Sequence, residues 1–577
     1  MRPVSAGWTT VLVTGALAAS AGATERPEQF RVWGAVAKAQ PYLGDPGLDS
    51  AGPMPAEASA AERALGFIVF SRGPATAIDG DFAPTPGDRC QELAARDCPG
   101  QYGPLTFGVL ALQKGDFTAV VTDLTGPGGR TIGAENLDVR AVRYVKVTVK
   151  KETKIIPLLI ESFSKKTVTA GRVQQFWITY YVPESAAPGA YRGTIRVRVN
   201  GAEKAAIPLT LEVYPFQLVE PDVDLFIYQG NWLREDNPAW SSQGLLDQRC
   251  HGMNTAGFAP PVTRDGELKL PQLTALLDTY RQVGFARRQI AAGLWNRITA
   301  EWLNTPDKSI GMYSAWFRYY PFSAALDDRY VAAARTIRGE AGKRGLKLTL
   351  SVADEPGSHP WTTAAAQHYN DLLKERLPDV ERELTVGGGW AMNRPEDELW
   401  KGRINVWTTN RWLEDKLQLV RKNDPGARIA IYNMGGDGSG LGGIESVRAM
   451  YGFFGWKAGA RGAGQWVYYH NATPECNYTW PAEDAAQGHV PTLRWEMVRE
   501  GAKDRRYVAT LEARLAGKQG SAVDEARAFL STIAEQVVLR TDAYDPIGGG
   551  RIRVSPPGTY DQWRDRIAEF IRKIGNE

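Results

Sequence analysis

Apolar and polar residues alternate at period two through much of the first third of the chain. Residues 142–149 (VRYVKVTV) and 175–182 (QFWITYYV) each read as a strand with one buried face. Residues 194–199 (TIRVRV) and 207–213 (IPLTLEV) flank Val199-Asn200-Gly201 and predict a hairpin. Strands buried on one face need a second sheet to cover them, so 24–218 is expected to fold as a β-sandwich. Residues 40–100, rich in Pro, Gly and Ala, are expected to be an irregular insertion.

Near Val219-Glu220-Pro221 the rhythm changes. Short apolar runs at 224–228, 346–352, 384–386, 404–407, 428–432 and 465–469 now alternate with helical windows at 270–283, 328–343, 362–377 and 444–458. This repetition over 219–515 predicts a TIM-like (β/α)8 barrel, in preference to an open doubly wound sheet. Residues 516–577, with helical windows at 521–533 and 560–574, form a helical C-terminal extension.

Composition narrows the function classes. The chain has 577 residues, with 68 Lys and Arg against 65 Asp and Glu. That balance gives no basis for nucleic-acid binding. Arg2 precedes an apolar run at 11–19 that ends in Ala21-Gly22-Ala23, the pattern of a signal peptide cleaved after about residue 23. The run is short for a membrane span, so a periplasmic or extracellular protein without membrane insertion is expected. An oxidising compartment permits a Cys90–Cys98 disulfide. Five His and no ligand spacing give no expectation of a metal site. Nothing implies a cofactor, and the oligomeric state stays open.

The chemistry is expected at Leu348-Thr349-Leu350-Ser351-Val352-Ala353-Asp354-Glu355-Pro356-Gly357, where an apolar strand runs into two carboxylates and a Pro-Gly stop. In a barrel this is the end from which active sites are built. Adjacent carboxylates resist double ionisation, so one is held as a general acid beside an ionised partner. A helix N-terminus accounts for the same pair without catalysis. Trp390, Trp407, Tyr432, Trp466, Tyr468, Tyr469 and His470 cluster at other expected strand ends beside Asn405, Asn433 and Asn471. Aromatic faces next to amides suit sugar rings and hydroxyls. His359 is placed to orient the carboxylate pair. Gly438, Gly440 and Gly443 match a dinucleotide fingerprint, but the following strand supplies Trp and Tyr where an acid is needed, so 433–443 reads as a glycine-rich loop.

Three stretches carry a resemblance to glycoside hydrolase family 123 and the related DUF4091 bacterial proteins. They are Val182-Pro183 through Pro188-Gly189-Ala190-Tyr191-Arg192-Gly193-Thr194, then Asp354-Glu355-Pro356, then Leu493-Arg494-Trp495-Glu496-Met497-Val498-Arg499-Glu500-Gly501 with Asp504 and Tyr507. The resemblance implies a β-sandwich followed by a barrel that releases terminal β-linked N-acetylgalactosamine with retention. Glu355 is implied as acid/base, and Asp354 as the group that orients the substrate's own 2-acetamido nucleophile. It also implies a tyrosine on the acetamide, with Tyr432 ahead of Tyr468 and Tyr469. Trp390, Trp407 and Trp466 are then stacking residues, and Arg494 and Glu496 are open between structure and substrate contact. The alternatives are a hydrolase acting on a sugar without an acetamide, with Asp437 or Glu475 as second carboxylate, and a noncatalytic carbohydrate-binding surface protein.

Overall fold

A computed structural model describes residues 46–55, 57–149, 152–230, 238–263, 267–285, 288–292, 323–354, 360–386, 400–409, 428–432, 444–470, 476–483, 488–537, 539–545, 549–552 and 558–575, with positions 27, 30, 33, 294, 418, 420–422 and 424–426. The expected leader, Glu355, His359, Trp390 and the glycine-rich loop lie outside the described residues.

Two sheets build the first unit. One has five strands, in spatial order Phe67–Phe70, Tyr102–Ala111, Val173–Tyr181, Leu137–Val149, Glu152–Glu161. The other has seven and centres on the hairpin Gly189–Val199 and Ala202–Val213. That hairpin pairs Ile195 with Ile207 and turns through Asn200 and Gly201, both at positive φ, as a two-residue turn between twisted strands requires. Phe107, Phe176 and Ile178 of the first sheet share one core with Ile195, Val197 and Leu209 of the second. The interval expected to be irregular also supplies strands, because Phe67–Phe70 joins the first sheet and Leu93–Asp97 joins the second.

The Cys90–Cys98 disulfide does not form, and both side chains are thiols. The five residues Leu93–Asp97 between them are extended, and at roughly 3.3 Å per residue this holds the ends too far apart to bridge. Cys98 instead lies 3.5 Å from the Tyr507 hydroxyl.

Eight parallel strands follow in chain order: Asp224–Gly230, Thr255–Phe258, Arg288–Ala292, Lys347–Asp354, Glu381–Val386, Val406–Thr409, Arg428–Tyr432 and Gly462–Tyr469. The eighth pairs back onto the first, with Phe226 opposite Gly464. Between first and second, Asn254 bridges the edge, donating its N–H to the Leu225 carbonyl at 3.0 Å and accepting the Leu225 N–H at 2.9 Å on Oδ1. The sheet is curled and barrel-like, since side chains of strands that are not neighbours meet on its inner side. Arg428 of the seventh strand pairs with Glu381 of the fifth at 2.6 Å, and Phe226, Val406 and Ala430 form one apolar cluster. Gly464 is required there, because a Cβ would stand 2.2 Å from the Phe226 ring. Among the described residues no helix is long and apolar enough to cross a membrane.

The helix Leu493–Leu515 ties these parts to the C-terminal helices. Thr492 caps it, accepting the Trp495 N–H at 3.2 Å. Its Glu496 enters a buried array in which His251 contacts Glu496 at 3.1 Å and Asp247 at 3.3 Å. Trp33 and Trp495 donate indole N–H groups to Asp247, each at 2.7 Å, and Tyr468 donates its hydroxyl at 2.9 Å. Burial alone would push the Asp247 carboxyl up, but the charge and hydrogen bond of His251, with His489 and Trp33, hold it at about 2. Burial works to lower the His251 pKa, and Asp247 and Glu496 outweigh it and raise it above 6.5.

The signs of these shifts predict a pH window. His251 contributes stability that is complete below pH 6.5 and lost as pH rises through its elevated native pKa. Asp247 contributes stability present above pH 3.8 and lost as pH falls towards about 2. Thermal melts from pH 5 to pH 9 should therefore show the parent losing its advantage over His251→Gln as pH rises. Asp247→Ala should cost about 3–5 kcal/mol, measured by denaturant titration.

Candidate active site at the strand mouth

The fifth strand, ERELTV, sets the chemistry of the sheet interior. Its Leu384 packs into the core on the helix side, so Glu381, Glu383 and Thr385 occupy the opposite, inner row. Thr349 of the fourth strand donates to Glu381 at 3.1 Å. One layer up, Thr408 of the sixth strand donates to Glu383 at 2.5 Å, and both are buried. The interior of the barrel-like sheet thus changes from apolar, around Phe226, to polar along its fourth, fifth and sixth strands.

The fourth strand carries a bulge where it approaches this polar row. Thr349 pairs with Glu381 and Ser351 with Glu383, then the register slips, so that Ala353 pairs with Leu384 and Asp354 with Thr385. Without the slip, position 354 would fall in phase with Leu350 and Val352, which belong to the helix-side core. With it, position 354 shares the register of the inner row. Bulges re-aim a strand in this way beside functional sites. The following residue, Glu355, lies outside the described residues, as do Trp390, His359, Asp437 and Glu475.

Across the interior stands an aromatic wall from the first, seventh and eighth strands. Tyr228 meets Tyr432 with ring centroids 6.1 Å apart at 81°, and Trp466 at 6.1 Å and 49°. Trp466 in turn meets the His470 ring at 5.4 Å. The His470 N–H donates to Asn477 Oδ1 at 2.7 Å, which fixes the chain as it leaves the strand. Three expected residues, Tyr432, Trp466 and His470, are therefore brought together. Tyr228 joins them through its two ring contacts, and neither it nor the buried Glu383–Thr408 pair of the inner row was expected from the sequence. The alternation Glu381-Arg382-Glu383-Leu384-Thr385 was the available signal for a polar inner row.

Other expected residues stand elsewhere. Trp407 is buried on the helix side of the sheet and donates its indole N–H to Asp424 at 3.4 Å, so its ring is packed among core side chains. Tyr468 is likewise held in that layer by its bond to Asp247. Tyr469, half-buried at the end of the eighth strand opposite Gly230, packs against the same core. Glu496 lies in the buried His251 array, and Arg494 donates to the Asn477 carbonyl at 2.8 Å over the Tyr478 ring. Both act within the framework. Among the described residues no group of three or more His, Cys, Asp or Glu is arranged to hold a metal ion.

No protein-family profile and no curated protein sequence matches the chain. Solved structures do. A family 39 glycoside hydrolase from Bacteroides cellulosilyticus aligns over 72% of this chain and 82% of its own at 11% identity and a TM-score of 0.37, too low for argument. A family 123 glycoside hydrolase from Clostridium perfringens, studied for glycolipid glycan hydrolysis, aligns over 89% of this chain and 98% of its own at 12% identity, with a TM-score of 0.63. Two antiparallel-type sheets, a barrel-like parallel sheet and a helical C-terminal region in this order give the chain the fold of that family 123 glycoside hydrolase.

Proposed function

We propose that the chain is an exported, retaining exo-glycoside hydrolase that releases terminal β-linked N-acetylgalactosamine by substrate assistance. The observation that supports the reading is the register slip in the fourth strand, after which position 354 pairs with Thr385 of the polar inner row, in a sheet whose interior also carries the Tyr228, Tyr432 and Trp466 rings. The shared fold with a family 123 glycoside hydrolase supports a glycan as substrate. The proposal includes removal of residues 1–23, a β-sandwich over 24–218, a closed (β/α)8 barrel over 219–515 and a helical extension over 516–577.

In this reading Glu355 protonates the departing glycosidic oxygen. The 2-acetamido oxygen attacks the anomeric carbon, and Asp354 holds the acetamide N–H and stabilises the positive charge that develops on the ring formed. Glu355, now ionised, takes a proton from the water that opens this ring. No protein nucleophile is needed, so adjacent carboxylates serve where most glycosidases place two across the sugar. Tyr432 holds the acetamide oxygen. Trp466, with Trp390, stacks on the sugar face.

A sugar without an acetamide is the second reading, and Glu383 favours it as a buried carboxylate on the strand next to Asp354. Variants separate the two. On aryl β-N-acetylgalactosaminide, Glu355→Gln should lower kcat by about 10²–10⁴-fold, and Asp354→Asn by about 10²–10³-fold. Glu383→Gln should act mainly on KM. Equal turnover by Asp354→Asn and the parent, or hydrolysis only of simple β-hexosides with Glu383→Gln as damaging as Glu355→Gln, would defeat substrate assistance. Binding of glycans with no hydrolysis across β-GalNAc, β-GlcNAc, β-galactoside and β-glucoside would make the protein a lectin-like binder. Tyr432→Phe should reduce kcat/KM about 10-fold on acetamido sugars, the scale of one lost hydrogen bond to a charge-bearing group, as read by initial rates.

A further inference from the structure

A cleft of about 500 Å³ lies far from the strand mouth, between the two-sheet unit and the opposite, N-terminal end of the parallel sheet. Its position follows from its walls. Glu220 precedes the first strand of that sheet, while Arg249 and Val283 close helices that return the chain to the next strands. The facing wall comes from Gln101, Tyr102 and Tyr181 of the two-sheet unit.

The cleft has an excess of positive charge. Arg249, Arg499, Lys503 and Arg506 line it, against Glu184 and Glu220. Lys503 is balanced from behind by Asp97 at 2.6 Å and Glu500 at 3.0 Å, and Arg499 by Glu496. Arg506 reaches Glu220 at 3.4 Å and donates to Gln101 Oε1 at 2.8 Å. Arg249 donates to the Met253 carbonyl at 2.6 Å, a neutral acceptor. Burial pushes the Arg249 pKa down, with Arg506 acting in the same direction and Glu220 only partly offsetting them. A half-buried guanidinium in that position is stabilised by an incoming anion, and its planar fork matches carboxylate and sulfate.

The rest of the lining is suited to a sugar. The Tyr102 and Tyr181 rings lie 4.5 Å apart at 35°, and Arg499 stands over the Tyr102 ring. Tyr181 is half-buried and borders the cleft, and Gln101 and Gln217 also line it. An aromatic face with amides presents both an apolar platform and donors and acceptors for hydroxyls. An inorganic anion uses only the cations, and a neutral sugar only the rings and amides.

We propose that this cleft is an accessory binding site for an acidic saccharide, with a uronate or sulfate group on Arg249 and Arg506 and a sugar ring against Tyr181. A volume near 500 Å³ accommodates about a disaccharide. The site uses none of the residues at the strand mouth, so it stands or falls independently of the proposed reaction.

The test is calorimetric titration of the full chain with a uronate-containing disaccharide, its neutral methyl ester, and sodium sulfate. The free acid should bind at least about 10-fold more tightly than the ester and than sulfate, with affinity falling as salt rises. Arg249→Gln should weaken the acid about 10-fold while leaving the weak ester binding unchanged. Tyr181→Ala, at a half-buried position, should weaken both sugars about 5–10-fold and leave sulfate unchanged. Melting curves identify a variant that has failed to fold, and the other variant then carries the test. Equal binding of acid and ester, sulfate as tight as the disaccharide, no binding at millimolar acid, or full affinity in a folded variant each overturn the proposal.

Discussion

Seven charged side chains on one helix, Leu493–Leu515, are buried, and this constraint organises the rest of the molecule. A charge removed from water must be met by an opposite charge or by several hydrogen bonds, or the helix cannot occupy that place. The partners come from every other part of the chain. Asp97 of the two-sheet unit meets Lys503, Arg564 of the C-terminal helix Thr559–Gly575 meets Glu500 at 2.6 Å, and Arg448 meets Asp504 at 2.7 Å. Burial would raise the Glu500 pKa, but Arg564, Lys503 and Arg448 hold it far below the usual carboxylate range. Because each pair joins segments distant in sequence, no one segment can be removed without stranding a buried charge in another. Such pairs give geometry more than net stability, since apolar side chains of similar volume fill the same space at lower desolvation cost.

That geometry reaches the strand mouth through the eighth strand. Tyr468 is held on the helix side by Asp247, the carboxylate that also receives the indoles of Trp33 and Trp495. Trp466, two residues earlier, meets Tyr228 inside the sheet. The back of this strand is thus fixed by charge and hydrogen bonding while its front forms part of the aromatic wall. Preorganisation of a binding surface depends on such support, since a ring free to rotate must lose that freedom when a ligand arrives.

What the sequence made legible follows the same division. Elements held by apolar periodicity are read closely: the hairpin about Asn200-Gly201, the helix Leu270–Val283 and the strands ending at Asp354 and Tyr432 are all visible in the pattern. Elements held otherwise are obscure. Thr255–Phe258 and Arg288–Ala292 are short and carry too few β-branched residues to stand out. His251 has no motif, because its partners are four residues away on the helix that ends just before it and 245 residues away on another. At the mouth, Tyr432, Trp466 and His470 were marked by their place at strand ends. Trp407 and Tyr468 carried the same mark and face the other way, because a local pattern cannot say which side of a strand is concave. The slip between Ser351 and Ala353 is equally invisible, although it decides the register of position 354.

The stretch 493–507 and the pair Asp354-Glu355 therefore carry different kinds of information, even though both contribute to the same family resemblance. The first lies in the framework: Glu496, Glu500, Lys503 and Asp504 hold the units together at a distance from the aromatic wall. Removing one partner of such a buried pair leaves an uncompensated charge, so single substitutions there are costly while most surface ones are not. The second begins where the fourth strand ends, at Asp354. Two proteins can accordingly share the first set of contacts and differ in sugar. The register slip is the point where the two kinds of information meet, since it belongs to the framework and yet sets the register at which the fourth strand ends, with Asp354 paired to Thr385.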